Sequence, residues 1–396
     1  MDTRSQDYAI PEGAVRNAVD VDLDNSGHFR RRKGYTRVVD IPNPHSLFSC
    51  PLGTFFAAGS GLYKFNDDNT TTLIYSGIAG PLTYQFFYDT VYFSDGVSCY
   101  KFSGALSVTL WGLTTPASSP VLEAVAGSLA PSSFLGAVSF VTASGEESGV
   151  SPLAEFSTFS PSGIRFTGLP TAPESSITAI RLYLSTPGGT VLYRVGEVPL
   201  GTAYYDVTDI TDTGAEADTA IVTRPQPCSI LRYHRGRMYM VSGNVVWYSD
   251  PYYFSRIRLA SNFWQLPADI TIFEPVEAGI WVVADKTYFY EGGGTDDFKV
   301  LKTLDYGAVP GTSVRLPHGE GVAWQSERGL IVASETGKSE NMQESLVTPI
   351  PAESGASLLR EKDGLRQIIT ALRPPMGSNQ LGVTSFMEAE VIRKGS

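Results

Sequence analysis

Apolar and polar positions alternate along this chain in short runs broken by glycine, and the runs repeat. Leu47–Phe65 laid under Tyr84–Phe102, an offset of 37 without a gap, places Phe56 on Phe93, Gly59 on Gly96, Tyr63 on Tyr100, Lys64 on Lys101 and Phe65 on Phe102. The unit is an apolar strand, a polar turn carrying Gly, and a second strand with an aromatic, which is the pattern of a β-hairpin. It recurs at Arg237–Val241 with Val245–Tyr248, where Gly243 stands in the place of Gly96, at Gly279–Val283 with Thr287–Tyr290, and at Gly321–Trp324 with Gly329–Val332. With Tyr92, Tyr239, Trp281 and Trp324 as markers of the first strand of each unit, the last three lie 42 and 43 residues apart. A period of about 40 residues, with two strands visible and room for two more, predicts the four-stranded blade of a β-propeller. One blade cannot bury both its faces, so blades must stack radially to do so. Five hairpins are visible, and the flanking segments leave room for five to seven blades.

From Tyr92 to Tyr239 the step is 147 residues, so an insert of roughly 105 residues (the excess over the ~40-residue repeat) interrupts the rhythm. Its edges are rich in proline, with Pro116 and Pro120 before it and Pro225 and Pro227 after it, as suits a domain boundary. Inside 115–223 lie about six short alternating strands, among them Leu135–Thr142, Ile177–Leu184 and Val191–Val198. That count predicts a β-sandwich, and the lack of a Cys pair favours a fibronectin type III-like one over an immunoglobulin domain. The expected organisation is 1–45 as N-terminal strands that close or dock the propeller, 46–114 as its first blades, and 115–223 as the sandwich. The remaining blades follow in 224–340 and a closing segment in 341–396. Within that last segment Ser357–Arg373 reads equally as helix or strand, ended by Pro374-Pro375.

Composition agrees. The 39 Gly, 25 Pro, 20 Tyr and 20 Phe among 396 residues, with 18% charged and 42% apolar, fit short strands and tight turns around an ample core, not a helix bundle or a disordered chain. The formal charge of −11 argues against a general binder of the nucleic-acid backbone. Cys50, Cys99 and Cys228 are odd in number and widely spaced, which fits a reducing compartment. The opening Met1–Ser5 is polar and predicts no secretory leader, and no apolar run is long enough to span a bilayer.

The chemistry-bearing residues give no catalytic pattern. His28, His45, His234 and His318 lie in separate segments, and Cys228 with His234 lacks two further zinc ligands. Asp20, Asp22 and Asp24 resemble a calcium loop, but its twelfth position is Arg31 instead of Glu, so a hairpin turning at Asn25-Ser26-Gly27 is expected. Ser94-Asp95-Gly96 and Ser249-Asp250-Pro251 only loosely match a sialidase-type turn. A glycosidase would need paired carboxylates facing the propeller axis. Glu146-Glu147 and Asp296-Asp297 are adjacent pairs whose side chains point apart in a turn. Gly292-Gly293-Gly294 has no helix behind it and reads as a turn. No catalytic, cofactor-binding or metal residue is assigned, and no cofactor or small-molecule substrate is expected.

Two basic stretches stand out in the acidic chain. Arg30, Arg31, Arg32 and Lys33 form one; they read as contacts to partner subunits, as contacts to phosphates, or as a solvated strand end. The other is 224–258, with six Arg against one Asp, in which Arg235, Arg237, Arg256 and Arg258 are candidate subunit-interface residues. Its neighbours Trp247, Tyr252 and Tyr253 read as blade packing before base-stacking platforms.

The stretch Ile10–Tyr35, with its Asn-bearing strand, turn and basic end before Gly34-Tyr35, resembles the opening of tail hub or nozzle proteins of short-tailed bacteriophages. Gly364–Arg373 through Met387–Ile392 also resembles phage structural proteins, as does a sandwich between propeller blades. The resemblance implies a virion tail protein, assembled in the host cytoplasm as a ring of six copies. Such a ring lies below the portal and adaptor, contacts tail fibre or needle proteins, and meets the host envelope only indirectly. It retains packaged duplex DNA and passes it during ejection without sequence-specific binding. An acidic wall would keep the duplex from sticking. Two other readings predict different observations. A fibre-anchoring or receptor-binding tail adaptor would make carbohydrate or fibre contacts on the sandwich, and a propeller glycosidase would carry an axial carboxylate pair.

Overall fold

A computed structural model describes residues 21–23, 28–31, 36–210, 213–292, 299–345, 347–348, 350–362, 365–375 and 386–391. Almost every regular element is a strand. Val21–Leu23 pairs antiparallel with Phe29–Arg31, Asp22 opposite Arg30, so the acidic stretch is a hairpin arm; Asp20, Asp24 and the turn at 25–27 lie outside the described residues.

Five four-stranded antiparallel sheets follow, each ordered as the chain runs. The first blade is His45–Cys50, Gly53–Ala58, Gly61–Phe65 and Thr71–Ser76; the second is Thr83–Phe87, Thr90–Ser94, Cys99–Ser103 and Thr109–Leu110. After the insert come the third blade (Ile230–His234, Arg237–Ser242, Val245–Tyr248, Phe263–Gln265), the fourth (Ile272–Pro275, Gly279–Val283, Thr287–Glu291, Lys299–Leu304) and the fifth (Val314–Leu316, Gly321–Ser326, Gly329–Ala333, Ser339–Asn341). A sixth sheet has three strands, Ser354–Lys362, Leu365–Arg373 and Phe386–Val391. The segment that read equally as helix or strand is therefore a hairpin. The protein is an all-β propeller interrupted by a sandwich, and its sheets fall within the expected five to seven.

The middle strands show why. Period-two alternation sends successive side chains to opposite faces, and here both faces are buried. Met238 and Met240 face the second blade, in a cluster with Cys99, Trp111 and Leu231, while Tyr239 and Val241 face the fourth, with Phe273, Ile280 and Val282. On the fourth blade Trp281 and Val283 turn the other way, to Val322, Trp324 and Ile331 of the fifth. Ala323, Leu330 and Ile368 join the fifth blade to the sixth sheet, and Phe55, Val91, Phe93 and Phe102 join the first to the second. Burying one such large side chain contributes about 2–3 kcal/mol.

Register refines the repeat. Arg232 lies opposite Tyr239 and Glu274 opposite Trp281, 42 residues on. Another 42 residues lead to Ala323, opposite Val314, and not to the marker Trp324. Trp324 faces back toward Trp281, ring centroids 5.8 Å apart, whereas Trp281 faces forward. The step of 43 thus reflects a change of face. The turn glycines Gly59, Gly96 and Gly243 share a left-handed backbone, with φ of 55°, 82° and 58°, which only Gly adopts without strain.

The insert is a sandwich of three strands on four. Val121–Leu129, Ser162–Thr167 and Tyr205–Val207 make one sheet; Ala154–Ser157, Ser133–Thr142, Ile177–Ser185 and Leu192–Pro199 make the other. Leu122, Phe134, Val138, Phe140, Ile164, Phe166, Ile180 and Leu182 fill the space between. Its two chain ends meet at the base. Thr115 Oγ1 donates to Val222 O at 3.1 Å, and Thr114 Oγ1 donates to Glu174 Oε1 at 2.5 Å. The Arg224 guanidinium lies 3.6 Å from the same carboxylate. The returning strand Val222–Thr223 then pairs with Ile257–Arg258, in the long connection of the third blade.

Candidate functional site

Of the basic residues read as interface candidates, Arg30 and Arg31 are exposed on the N-terminal hairpin, and Arg32 and Lys33 lie outside the described residues. The 224–258 stretch divides by role. Arg235 is exposed in the turn after Ile230–His234, its Nη2 donating to Glu277 O at 2.6 Å. Arg237 is half-buried, donates to Ser249 O at 2.7 Å and stacks over Tyr248. Arg256 stacks over Tyr253, 4.8 Å from the ring centroid. Arg258 bridges Asp250 (3.0 Å) and Asp218 (2.9 Å), so it ties the segment leaving the sandwich to the third blade.

The first strands of neighbouring blades lie side by side, and a polar network links them. Leu231 N–H donates to Thr83 Oγ1 (3.0 Å) and Tyr233 N–H to Gln85 Oε1 (3.1 Å), joining the second and third blades. Arg232 Nη2 meets Glu274 Oε1 at 2.5 Å, joining the third to the fourth. Ser313 Oγ donates to the same oxygen at 2.7 Å, and Arg315 reaches Pro275 O from the fifth blade. Gln85, Arg232 and Glu274 occupy one register position, opposite Tyr92, Tyr239 and Trp281. Sequence reading missed Glu274. Its signal was a polar residue recurring across from three of the four aromatic markers, Tyr92, Tyr239 and Trp281. Burial on its own would raise the Glu274 carboxyl, but the charge and hydrogen bonds of Arg232, with Ser313 and Arg315, hold it below the usual range. Glu274 is thus an ionised partner of Arg232.

At one end of these strands His234, Arg235, Glu277, Arg315 and Glu335 border a cavity of about 580 Å³. His234 is 8% exposed, and its Nε2 has no hydrogen-bond partner. Burial, then the charges of Arg235 and Arg315, lowers its pKa to about 4, so the ring is neutral at pH 7. His234 and Cys228 do not come together as ligands. Cys228 packs with Cys99 between the second and third blades, and no group of three metal-binding side chains occurs among the described residues.

The tyrosines Tyr252 and Tyr253 overturn the expectation of blade packing. They are 71% and 61% exposed in the long connection of the third blade, whereas Trp247 does pack, against Phe263 at 5.2 Å. With Tyr92, Trp111, Lys101 and Glu146 they line a cleft of about 320 Å³ where the propeller meets the sandwich. Glu146 turns to Lys101 of the second blade, 3.0 Å away. Its neighbour Glu147 turns into the sandwich, to Ser139, Arg181 and Tyr183, so the adjacent carboxylates point apart as expected. Asp95 accepts from Val97 and Ser98 N–H of its own turn and from Ala79 N–H, and Asp250 accepts from Asn262 and Arg258 in the long connection of the third blade, so both carboxylates are taken by structural contacts.

No family model and no curated protein matches this sequence. Among solved structures, BBS1N in its complex with ARL6DN aligns over 90% of this chain and 94% of its own, at 9% identity and a TM-score of 0.32. Virginiamycin B lyase from Staphylococcus aureus aligns over 84% of this chain and 94% of its own, at 11% identity and a TM-score of 0.32. At such scores neither likeness assigns an activity, and the architecture of this chain rests on its own strand pairing.

Proposed function

We propose that this chain is a structural subunit of a short-tailed bacteriophage tail, a hub or nozzle protein that forms a ring and continues the DNA channel below the portal and adaptor. One observation carries the reading: a propeller split after its second blade by a β-sandwich and preceded by a hairpin, Val21–Leu23 with Phe29–Arg31, that carries the exposed Arg30 and Arg31. That is the arrangement that the N-terminal resemblance implies. The carboxylate Glu274, buried between blades, is neutralised by Arg232, which suits a strut between them better than a glycosidase pair. A net charge of −11 suits a surface that duplex DNA passes without adhering. The ring holds packaged DNA and releases it, in contact with portal, adaptor and fibre or needle proteins. Arg30, Arg31 and Arg235 are exposed, and this reading assigns them to contact with a neighbouring subunit. The exposed Tyr252 and Tyr253 beside the sandwich favour a second reading, an adaptor that grips a fibre or receptor.

Electron microscopy of the purified chain at low and high concentration tests this. Rings with a central channel of duplex width, about 20 Å across as B-DNA groove dimensions require, are expected. Single discs, each with a knob, at every concentration and also with the portal complex present would overturn the ring and leave the adaptor.

A further inference from the structure

Cys99 opens the third strand of the second blade, and Cys228 lies in the link that leads from the sandwich into the third blade, outside every sheet. The whole insert lies between them in sequence, yet the fold brings both side chains into one buried cluster with Leu231, Met238 and Met240. Three contacts fix the approach. Cys228 N–H donates to Ser94 Oγ at 3.1 Å, and Ser94 is the residue opposite Cys99 on the neighbouring strand. The Cys99 thiol donates to Gln226 O at 3.2 Å, two residues before Cys228. The Cys228 thiol hydrogen-bonds to the Cys99 sulfur. Both cysteines are free thiols.

A buried thiol on its own is a small apolar side chain. Two that meet across a joint between blades are one bond away from a covalent link. We propose that Cys99 and Cys228 are a redox pair, which a small hydroperoxide converts into a disulfide that bolts the second blade to the third at the joint that carries the sandwich. The Cys99 thiolate attacks one peroxide oxygen; the O–O bond breaks, a sulfenic acid is left on Cys99, and the departing hydroxide takes up the proton that Cys99 lost. Cys228 Sγ then attacks that sulfur; the S–O bond breaks, the S–S bond forms, and the leaving hydroxide departs as water with the Cys228 proton. The two sulfurs lose two electrons and the peroxide gains them. The hydrogen bond to Cys99, and then burial, hold the proton on Cys228, which suits it to the second step.

The site has room to move. Residues 224–229 belong to no strand, so Cys228 can shift to the geometry that a disulfide requires without breaking a ladder. The surface is close: Val97, two residues before Cys99, and Ser229, next to Cys228, are both exposed, so local opening of the turn at 95–98 admits a molecule as small as peroxide. Cys50 packs in a different cluster, between the first and second blades, and takes no part. The pair does not depend on ring assembly.

The test treats the full chain with hydrogen peroxide, unfolds it in guanidinium, caps it with N-ethylmaleimide and weighs it by intact mass spectrometry. The oxidised chain should be lighter by two hydrogens and take up one maleimide, where the reduced chain takes up three. Peptide mapping should join Cys99 to Cys228, and dithiothreitol should restore all three thiols. The Tm of the oxidised chain should rise by several degrees, because the link closes a long loop. Cys228→Ala should block the link and leave a sulfenic acid on Cys99 that dimedone traps, whereas Cys50→Ser should leave the link intact. The treatment is repeated a few degrees below Tm, where local opening is frequent, so that burial cannot account for a negative result. Four outcomes would each overturn the proposal: three maleimides taken up after peroxide at both temperatures, a link that involves Cys50, sulfinic acid on Cys99 without a link, or a Tm that does not rise.

Discussion

Arg232 and Glu274 occupy the same register position on the first strands of adjacent blades, and their side chains meet at 2.5 Å. Both are charged, and Glu274 is 3% exposed. Removing Arg232 leaves the Glu274 charge buried and short of its main partner, whereas Arg232, with 27% of its side chain exposed, keeps some solvation when Glu274 is removed. Arg232→Met should lower unfolding free energy by about 3–5 kcal/mol and Glu274→Leu by less, whereas the two together should recover much of the loss. Urea denaturation of the three variants checks the cycle. Equal and additive losses would mean that the pair is not coupled.

His234 makes stability depend on pH in a separate window. Its folded pKa of about 4 lies below the unfolded value of about 6.5. Between these values the unfolded chain binds the proton and the folded chain does not, so stability is complete above pH 6.5 and falls as pH drops toward 4. The loss amounts to about 3 kcal/mol for a shift of this size. Thermal unfolding from pH 7 to 4.5 should show this limb, and His234→Gln should flatten it. An unchanged slope in the variant would assign the limb elsewhere.

Glycines at different places in the repeat should differ in cost. A Cβ at Gly321 would stand 2.0 Å from Ala333 O, and one at Gly279, 42 residues earlier, 2.1 Å from Tyr290 O. At Gly96 a Cβ meets nothing within 4 Å, and only its positive φ opposes a side chain. Gly96→Ala should therefore cost about 1 kcal/mol, while Gly321→Ala forces two strands apart and should cost several times more. Tm values of the two variants rank them.

Charge reversal tests the interface. Arg30→Glu with Arg31→Glu should leave the melting of the single subunit nearly unchanged, since both side chains are exposed on the N-terminal hairpin. Ring assembly, read by analytical ultracentrifugation, should weaken by tenfold or more. Assembly at the parent concentration with altered DNA retention would reassign these residues to phosphate contact.

The repeat was legible because blades bury both faces of their middle strands, so Met238–Val241 and Ile280–Val283 stand out as continuous apolar runs. The change of face at Trp324 was not, because a one-residue slip within the apolar run Val322–Trp324 leaves its composition unaltered. The hairpin 354–373 stayed ambiguous because Leu358, Leu359, Ile368 and Ile369 fit helical and strand periods alike. Asp218 with Arg258, and Trp111 with Glu146, come together only through the placement of the insert. Tyr252 and Tyr253 carry no local sign that they face solvent. Glu274 was legible in principle, once the positions opposite Tyr92, Tyr239 and Trp281 are compared from blade to blade.

The two ends of the sandwich meet at one clasp, with Glu174 beside both Thr114 and Arg224. A pull on the sandwich is therefore shared by two chains in parallel, through a bonded base, and arrives at the joint between the second and third blades. Neither blade is peeled from its edge strand one hydrogen bond at a time. The insert is thus a handle: load applied to it twists the joint beneath it and spares the sheets on the far side.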